Sequence, residues 1–278
     1  MNIFVKLGED IAKIWKDYAG LYLGGVWNTL ELAVLCTAVG CIIGLLCGIL
    51  NTIPYSKYDN IFKKILLKAV RVVIQAYVEI FRGTPMILQA VVIYYGLPYF
   101  TNDALRFTDV WTCAFVVVSV NTGAYMAESV RGGIISIDPG QTEGAKAIGM
   151  THWQTMLHVI LPQTIRNILP QIGNNLIINI KDTSVMSIIG FSDFFDIHKT
   201  VVGTTYKYFP SAAIEMVGYL SMTLVASLLL RMWEKKLDGA GSYKLVEVDS
   251  LTMTAGTYTH PEKDKAFAEK SREFEEDM

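Results

Sequence analysis

Long uncharged apolar runs constrain this chain more than any other feature of its sequence. Three such runs occupy residues 32–50, 83–102 and 110–127, and two shorter ones occupy residues 167–180 and 216–230. Since the hydrocarbon core of a bilayer takes ~20 residues of apolar helix, each run predicts a membrane span. Charged residues make up only 18% of the 278-residue chain, against ~25% in soluble domains. The sequence therefore predicts an all-α integral membrane protein with about five transmembrane helices.

The distribution of Lys and Arg predicts the orientation of these spans, because short cytoplasmic loops hold an excess of both. Residues 51–71 contain five of them against one acidic residue, so this loop is expected inside. Residues 98–109 contain one Arg against two Asp and are expected outside. The alternation places the N-terminus outside and the C-terminus inside.

Composition and charge divide the chain into three segments. Residues 1–20 are expected to form an N-terminal interfacial segment. Residues 21–236 form the membrane domain, with a cytoplasmic loop at about residues 137–162 between the third and fourth spans. Residues 237–278 contain 5 Lys and Arg against 10 Asp and Glu and are expected to be an acidic, mostly disordered cytoplasmic tail.

Several function classes find no support in the sequence. The cysteines lie inside apolar runs without metal-ligand spacing, so neither a disulfide framework nor a metal site is expected. The histidines have no metal-ligand spacing either, and no nucleophile and base stand out, so no catalytic residue is predicted. A basic patch with aromatic residues is also missing, which excludes a nucleic-acid partner.

Charged residues inside predicted spans are the first functional candidates, because they are costly in lipid and usually face a protein interior or a water-filled path. Glu79 and Arg82 are three residues apart and share a helix face, so together they could complement a zwitterion. They could equally neutralise each other as a structural pair. Gly83, Thr84 and Pro85 then interrupt the helix, and broken helices near the midplane commonly hold substrate in transporters.

Other charges near the spans have simpler interpretations. Lys181, Asp182, Thr183 and Ser184 follow the fourth span, and could be either a second polar cluster or the aqueous end of that span. Glu128 and Arg131 are interpreted as a structural ion pair. Glu31 and Glu215, each alone at the start of a span, are expected at the interface.

Small residues mark two places of close approach. Gly40, Gly44 and Gly48 repeat every four residues along the first span, which favours packing against another helix of the same chain over a dimer contact. In the cytoplasmic loop, a turn at Pro139 is followed by a short helix predicted from Glu143 onward, with small residues on its surface. Such a helix suits insertion into a groove on another protein, although composition alone would make it a connecting helix.

At these residues the chain resembles the membrane subunits of ATP-binding-cassette importers for polar amino acids, the histidine/glutamine permease family. The most specific match is Glu143-Gly144-Ala145-x3-Gly149, followed after nine residues by Val159-Ile-Leu161-Pro162. The family loop reads Glu-Ala-Ala-x3-Gly-x9-Ile-x-Leu-Pro, so Gly144 and Val159 are conservative replacements. Further matches lie at residues 79–85, 127–133, 139–141 and 181–190. Together they cover about residues 20–236.

The resemblance implies a permease domain over residues 21–236 in a multi-pass protein of the prokaryotic cell membrane. It also implies three partners: ATPase subunits, an extracytoplasmic amino-acid-binding protein, and a second permease subunit that is identical or homologous. The sequence contains no Gly-x4-Gly-Lys-Ser/Thr phosphate loop. This chain is therefore expected to bind no cofactor itself, with ATP used by the partner ATPase.

The family motifs also imply roles for individual residues. The substrate path is implied to run near Glu79, Arg82, Gly83, Thr84, Lys181, Asp182, Thr183 and Ser184. The loop that couples to the ATPase is implied to use Glu143, Gly144, Ala145, Gly149, Leu161 and Pro162. The alternative function is an ion-coupled secondary transporter or channel, in which buried charges and broken helices would look the same. That alternative predicts transport without any ATPase.

Overall fold

The computed structural model describes residues 3–54 and 60–237, and these residues form helices and turns without a strand. The α-helices are α1 (Ile3–Thr52), α2 (Ile61–Gly83), α3 (Met86–Val91), α4 (Leu97–Thr101), α5 (Val110–Ile135), α6 (Pro139–Ala147), α7 (His152–Thr155), α8 (Leu161–Asp182), α9 (Phe194–Thr205) and α10 (Tyr208–Leu237). Short π-helical turns at Val92–Gly96 and Met156–Ile160 and a 3-10 helix at Thr183–Ile189 join neighbouring helices. The predicted acidic tail lies, beyond residue 237, outside the described residues.

Three helices are long and apolar enough to cross a bilayer by length and composition alone. They are Ile3–Thr52, Val110–Ile135 and Tyr208–Glu234. The predicted span at residues 83–102 corresponds to the shorter apolar helix Met86–Thr101, and the span at residues 167–180 lies within α8. The predicted all-α fold class is confirmed for the described part of the chain.

Helix α1 is much longer than the predicted first span. Its 50 residues extend for ~75 Å at 1.5 Å per residue, more than twice the thickness of a bilayer core. From Ile3 onward, the predicted N-terminal segment is continuous with the span. Ile14 and Tyr22 are buried in this first half. The Tyr22 ring packs edge-on against Phe194 at 5.7 Å, so contacts with α9 stabilise the N-terminal half of α1.

A seam of glycines brings α1 against α5. A Cβ atom added to Gly40 would lie 2.6 Å from Cβ and Cγ2 of Thr122, and one added to Gly44 would overlap Met126. A Cβ atom added to Gly48, one turn further along, would likewise overlap the Val130 side chain. These positions tolerate no side chain because the two helices pack in direct contact. The prediction that the glycines serve packing within one chain is confirmed.

The predicted interruption at Pro85 divides one apolar stretch into two helices. Helix α2 ends at Gly83, Thr84 takes an extended conformation with φ −120° and ψ 144°, and the chain becomes helical again at Met86. Proline has no backbone N–H and its ring clashes with the preceding turn, which favours a helix end here. The break lies beside α5, because the Tyr77 hydroxyl donates to the Val120 carbonyl at 2.6 Å.

Glu215 is not alone at the start of its span, contrary to the sequence interpretation. Helix α10 begins at Tyr208, so Glu215 lies two turns inside it and is only 8% exposed. Its Oε2 atom lies 3.5 Å from Nδ1 of His198 on α9, and that nitrogen is also 2.8 Å from the Ser211 hydroxyl. The Ser211 hydroxyl in turn hydrogen-bonds to the Tyr22 hydroxyl at 2.6 Å. A buried polar network thus joins α1, α9 and α10.

Asp193 belongs to the same region and begins α9. Its carboxylate accepts hydrogen bonds from the Asp196 backbone N–H at 3.0 Å and from the Tyr219 hydroxyl at 3.1 Å. This is an N-cap that satisfies a free donor in the first turn of the helix. Burial raises the pKa of Asp193 to about 6, since removal from water penalises the charged form.

Candidate functional site

A polar cavity of about 430 Å³ lies at the break between α2 and α3. Three elements of the chain contribute its walls. From the break come Arg82, Gly83, Thr84, Pro85 and Met86; from α5 come Asn121, Thr122 and Tyr125; from α8 come Asn175, Ile178, Asn179 and Asp182. The cavity therefore contains one basic and one acidic side chain together with several amides and hydroxyls. A ligand with both charges and a polar side chain has partners for each of its groups.

The charged side chains of α2 have different surroundings. The Arg82 guanidinium lies over the ring of Tyr125, with its carbon 5.4 Å from the ring centroid. The Glu79 carboxylate instead accepts a hydrogen bond from the Gln75 amide at 3.0 Å. Glu79 and Arg82 therefore have separate partners rather than each other. Glu79 lines a second cavity of about 400 Å³, which Arg82 also lines together with Glu128 and Arg131.

The polar cluster after the fourth predicted span divides in the same way. Asp182 lines the first cavity. Thr183 is fully buried, and its hydroxyl donates to the Ile180 carbonyl at 3.0 Å. Lys181 is exposed and Ser184 is half-buried, and neither lines the first cavity. The break and Asp182 thus lie on one cavity, whereas Lys181, Thr183 and Ser184 are beside it.

Sequence reasoning missed the uncharged polar residues of the cavity. The Asn179 amide donates to the hydroxyls of Thr37 at 2.8 Å and Thr122 at 3.0 Å, which joins α8 to α1 and α5. Asn175, one turn earlier, donates to the Met126 sulfur at 2.9 Å. Asparagines four residues apart share one helix face. Their spacing in the apolar run at residues 167–180 was the signal that could have revealed them.

The loop between α5 and α8 forms two short helices. Helix α6 begins at Pro139 rather than at Glu143, because the Asp138 carboxylate caps it by accepting from the Gly140 N–H at 2.7 Å. Proline at the first helical position fits this start. Glu143 and Gly144 are exposed on α6, whereas Ala145 is buried.

The turn after α6 is tight and leaves apolar side chains in the open. Gly149 has φ +83°, a left-handed conformation that favours glycine. Ile148, beside it, is 80% exposed, and Trp153 on α7 is 54% exposed. Leu161 and Pro162 begin α8 after the π-helical turn. Exposed apolar groups on a short polar helix pair are typical of a surface that another protein covers.

Two smaller predictions can be compared with the structure. Glu128 and Arg131 form the predicted ion pair, with Arg131 Nε 3.1 Å from Glu128 Oε2. The described residues contain no group of three or more His, Cys, Asp or Glu side chains that could hold a metal ion.

A multi-pass helical bundle, a broken helix beside a polar cavity and an exposed helix pair between two spans together define a membrane transport subunit. The family described as "Binding-protein-dependent transport system inner membrane component" matches residues 64–239. The glutamine transport system permease protein GlnP of Escherichia coli (strain K12) is 36% identical over 82% of this chain and 97% of its own length. The arginine transport system permease protein ArtQ of Bacillus subtilis (strain 168) is 31% identical over 77% of this chain and 91% of its own.

Solved structures agree with these relatives. A chain from the crystal structure of an amino acid ABC transporter with histidines superposes with a TM-score of 0.68 at 34% identity, covering 79% of this chain and 95% of that chain. An inward-facing MetNI methionine ABC transporter chain shares the fold with a TM-score of 0.59 at 22% identity, covering 80% of this chain and 96% of that chain.

The chain belongs to the family of binding-protein-dependent transport system inner membrane components. It is a membrane-spanning permease subunit of an ATP-binding-cassette importer for amino acids, located in the prokaryotic cell membrane. ATP hydrolysis is the task of a separate ATPase subunit, and importers of this family also work with an extracytoplasmic binding protein. The family resemblance inferred from the sequence is thereby confirmed.

Proposed function

We propose that the chain crosses the membrane five times, with its N-terminus outside and its C-terminus inside. The spans are α1, the broken helix made of α2 and residues 86–101, α5, α8 and α10. The basic residues at the start of α2 and the Lys and Arg near the end of α10 support this orientation. It places α6 and α7 in the cytoplasm, and the break between α2 and α3 at the depth of the membrane.

The cavity of about 430 Å³ is the proposed substrate site, and its volume is within the ~300–1,000 Å³ typical of small-molecule pockets. One observation supports this assignment most strongly: Arg82 and Asp182, from two different spans, line the same cavity. Arg82 would bind the carboxylate of an amino acid and Asp182 its amino group, both through charge-assisted hydrogen bonds. Gly83 and Thr84 contribute backbone at the break.

The side chain of the substrate would meet the amides of Asn121, Asn175 and Asn179. The N–H groups of Asn121 and Asn179 donate within the bundle, so these residues would accept through their amide oxygens, which suits a substrate side chain that donates hydrogen bonds. Named relatives transport glutamine or arginine, so glutamine is the first amino acid to test, with arginine and histidine beside it. Glu79, Lys181, Thr183 and Ser184 are proposed to border the path without contacting the bound substrate.

The exposed helices α6 and α7 are proposed to transmit ATP binding to the spans. The exposed Glu143, Gly144 and Gly149 would seat in a groove on the ATPase, with the buried Ala145 supporting them from within the loop. Leu161 and Pro162 would carry the movement into α8. A ligand shifts an equilibrium only through different affinities for the two states, so ATP must alter the groove in which these helices sit. A second permease subunit, identical or homologous, completes the path, and this chain itself binds no cofactor.

Two measurements on the purified permease–ATPase complex test the substrate site. The first is equilibrium binding of labelled glutamine, arginine and histidine without the binding protein. The second is uptake into proteoliposomes with the binding protein, with and without ATP. Arg82→Met should weaken binding by about tenfold or more, since a hydrogen bond to a charged group contributes ~1.5–3 kcal/mol.

Arg106→Met is the matched control, because Arg106 is exposed and lies 3.8 Å from Asp103 between the broken helix and α5. Parent-like binding in Arg82→Met would refute the site. Uptake that continues without ATP or without the ATPase would instead favour the ion-coupled alternative.

A further inference from the structure

The break between α2 and α3 leaves backbone carbonyls without their helical donors, among them those of Phe81 and Thr84. The Phe81 carbonyl would receive the N–H of residue 85 in a continuous helix, but Pro85 has none. The Thr84 carbonyl also loses its donor, because the Leu88 N–H, which would bind it in a continuous helix, donates instead to the Pro85 carbonyl at 3.0 Å. In lipid or in a protein interior, such carbonyls are costly unless another group satisfies them.

The side chain of Gln89 satisfies both carbonyls. It is only 7% exposed, and its Nε2 atom lies 2.9 Å from each of three acceptors: the Phe81 carbonyl, the Thr84 carbonyl and the Thr84 hydroxyl oxygen. Its two N–H groups are shared among these three oxygens. Because all three neighbours of this nitrogen are oxygens, the orientation of the amide is determined. The Thr84 hydroxyl donates its own hydrogen to the Ile80 carbonyl at 2.7 Å, so it can only accept from Gln89.

Asn121 on α5 completes the arrangement. Its Nδ2 atom donates to the Phe81 carbonyl at 3.1 Å and to Gln89 Oε1 at 3.0 Å. The broken helix is thus tied to itself by Gln89 and to α5 by Asn121. We call these two side chains and the two carbonyls they bind the amide clasp.

We propose that Gln89 is a positioning residue that holds the broken helix so that Arg82 faces the substrate. This inference rests on the proposed substrate site. The Phe81 carbonyl belongs to the same peptide unit as the Arg82 nitrogen, so a bond to that carbonyl fixes where the Arg82 side chain starts. Asn121 and Tyr125, which line the cavity one turn apart on α5, are held at a fixed distance from Arg82 by the same bonds. Gln89 itself does not line the cavity.

The test compares Gln89→Met, Arg82→Met and the double variant in the complete permease–ATPase complex. Methionine has nearly the length of glutamine but provides no N–H donor. Binding of labelled glutamine, arginine and histidine is measured in detergent without the binding protein. Basal ATP hydrolysis and co-elution of the subunits show that each variant has assembled. Thr101→Val is the control, because it removes a hydroxyl that donates within the far end of the same broken helix.

We expect Gln89→Met to weaken binding about tenfold with basal ATP hydrolysis within about twofold of the parent. In the Arg82→Met background the same change should weaken binding by less than about twofold, because a positioning residue has nothing left to position. Parent-like binding in Gln89→Met would overturn the inference while leaving the substrate site in place. The same holds if the loss of affinity in the double variant equals the product of the losses in the two single variants.

If Arg82→Met alone binds like the parent, the proposed substrate site fails and the role of Gln89 fails with it. Should Gln89→Met not assemble, Gln89→Asn repeats the test with the amide retained but shortened by one methylene. That variant should weaken binding several-fold, again only while Arg82 is present, and parent-like binding would overturn the inference.

Discussion

Replacing Gly40 with alanine is the most direct test of how α1 packs on α5. The added methyl group would lie 2.6 Å from two carbon atoms of Thr122 and 3.1 Å from the Gly123 nitrogen. Non-bonded carbon atoms rest at ~3.5–4.0 Å, so the two helices would have to separate by about 1 Å. Thr122 cannot simply turn aside, because its hydroxyl accepts from the buried Asn179 amide at 3.0 Å.

The expected magnitude follows from this overlap. Overpacking of a well-packed core typically costs ~1–3 kcal/mol. The matched control is Gly24→Ala in the same helix, where an added Cβ atom would have nothing within 4 Å. Alanine is favoured over glycine in a helix interior by roughly 0.5–1 kcal/mol, so the control should be neutral or more stable than the parent. The same gain applies to Gly40→Ala, so the two variants should differ by the overpacking cost alone, about 1–3 kcal/mol.

Thermal unfolding of the purified complex in detergent measures this difference. For a domain of this size 1 kcal/mol shifts the midpoint by about 2–4 °C, so Gly40→Ala should unfold roughly 2–12 °C below Gly24→Ala at one scan rate. Glutamine binding should weaken as well, because Thr122 lines the cavity. Equal midpoints for the two variants would show that Gly40 does not pack on α5. The glycines would then be free to form a contact between two copies.

Four further predictions address other parts of the molecule. Glu143→Lys, on the exposed face of α6, should leave ATP hydrolysis intact but reduce uptake per ATP hydrolysed, measured in proteoliposomes. Gly149→Val should do the same, since its φ of +83° costs a β-branched residue ~1–2 kcal/mol and displaces the turn. Glu79→Gln should bind glutamine within about twofold of the parent, whereas Asp182→Asn should bind about tenfold more weakly, by equilibrium binding. Asp193 has a pKa raised from 3.8 to about 6 in the folded protein, so folding takes up protons in that range and stability falls as pH rises through it. The fall in unfolding midpoint between about pH 4.5 and 6.5 should be smaller in Asp193→Asn than in the parent.

The parts of the fold that the sequence predicts are those that depend on local chemistry. Uncharged runs predict spans because lipid excludes charge, and Pro85 predicts a break because it lacks an N–H. The spacing of Gly40, Gly44 and Gly48 predicts a close helix contact. It does not identify the partner, because Thr122 and its neighbours on α5 lie about eighty residues away along the chain.

Contacts between distant residues could not be predicted. The charged residues among the first twenty gave them the pattern of a segment separate from the first span. In the structure the helix continues unbroken through them, and the Tyr22 hydroxyl hydrogen-bonds to Ser211, 189 residues further along the chain. Glu215 was expected at the interface because its own segment offers no partner for the carboxylate. Its partner, His198, lies on another helix. In both cases tertiary packing satisfies a polar group that has no partner in its own segment.

The break itself shows how a substrate cavity and its support can arise from one sequence pattern. Phe81, Pro85 and Gln89 are spaced by four residues along the sequence. Pro85 removes the donor for the Phe81 carbonyl, and an amide one turn later restores it. In this chain the polar side chain that satisfies the carbonyl also brings a further polar partner, Asn121, into the bundle. Beside that break the bundle can hold both a charge and a polar cavity at the depth of the membrane.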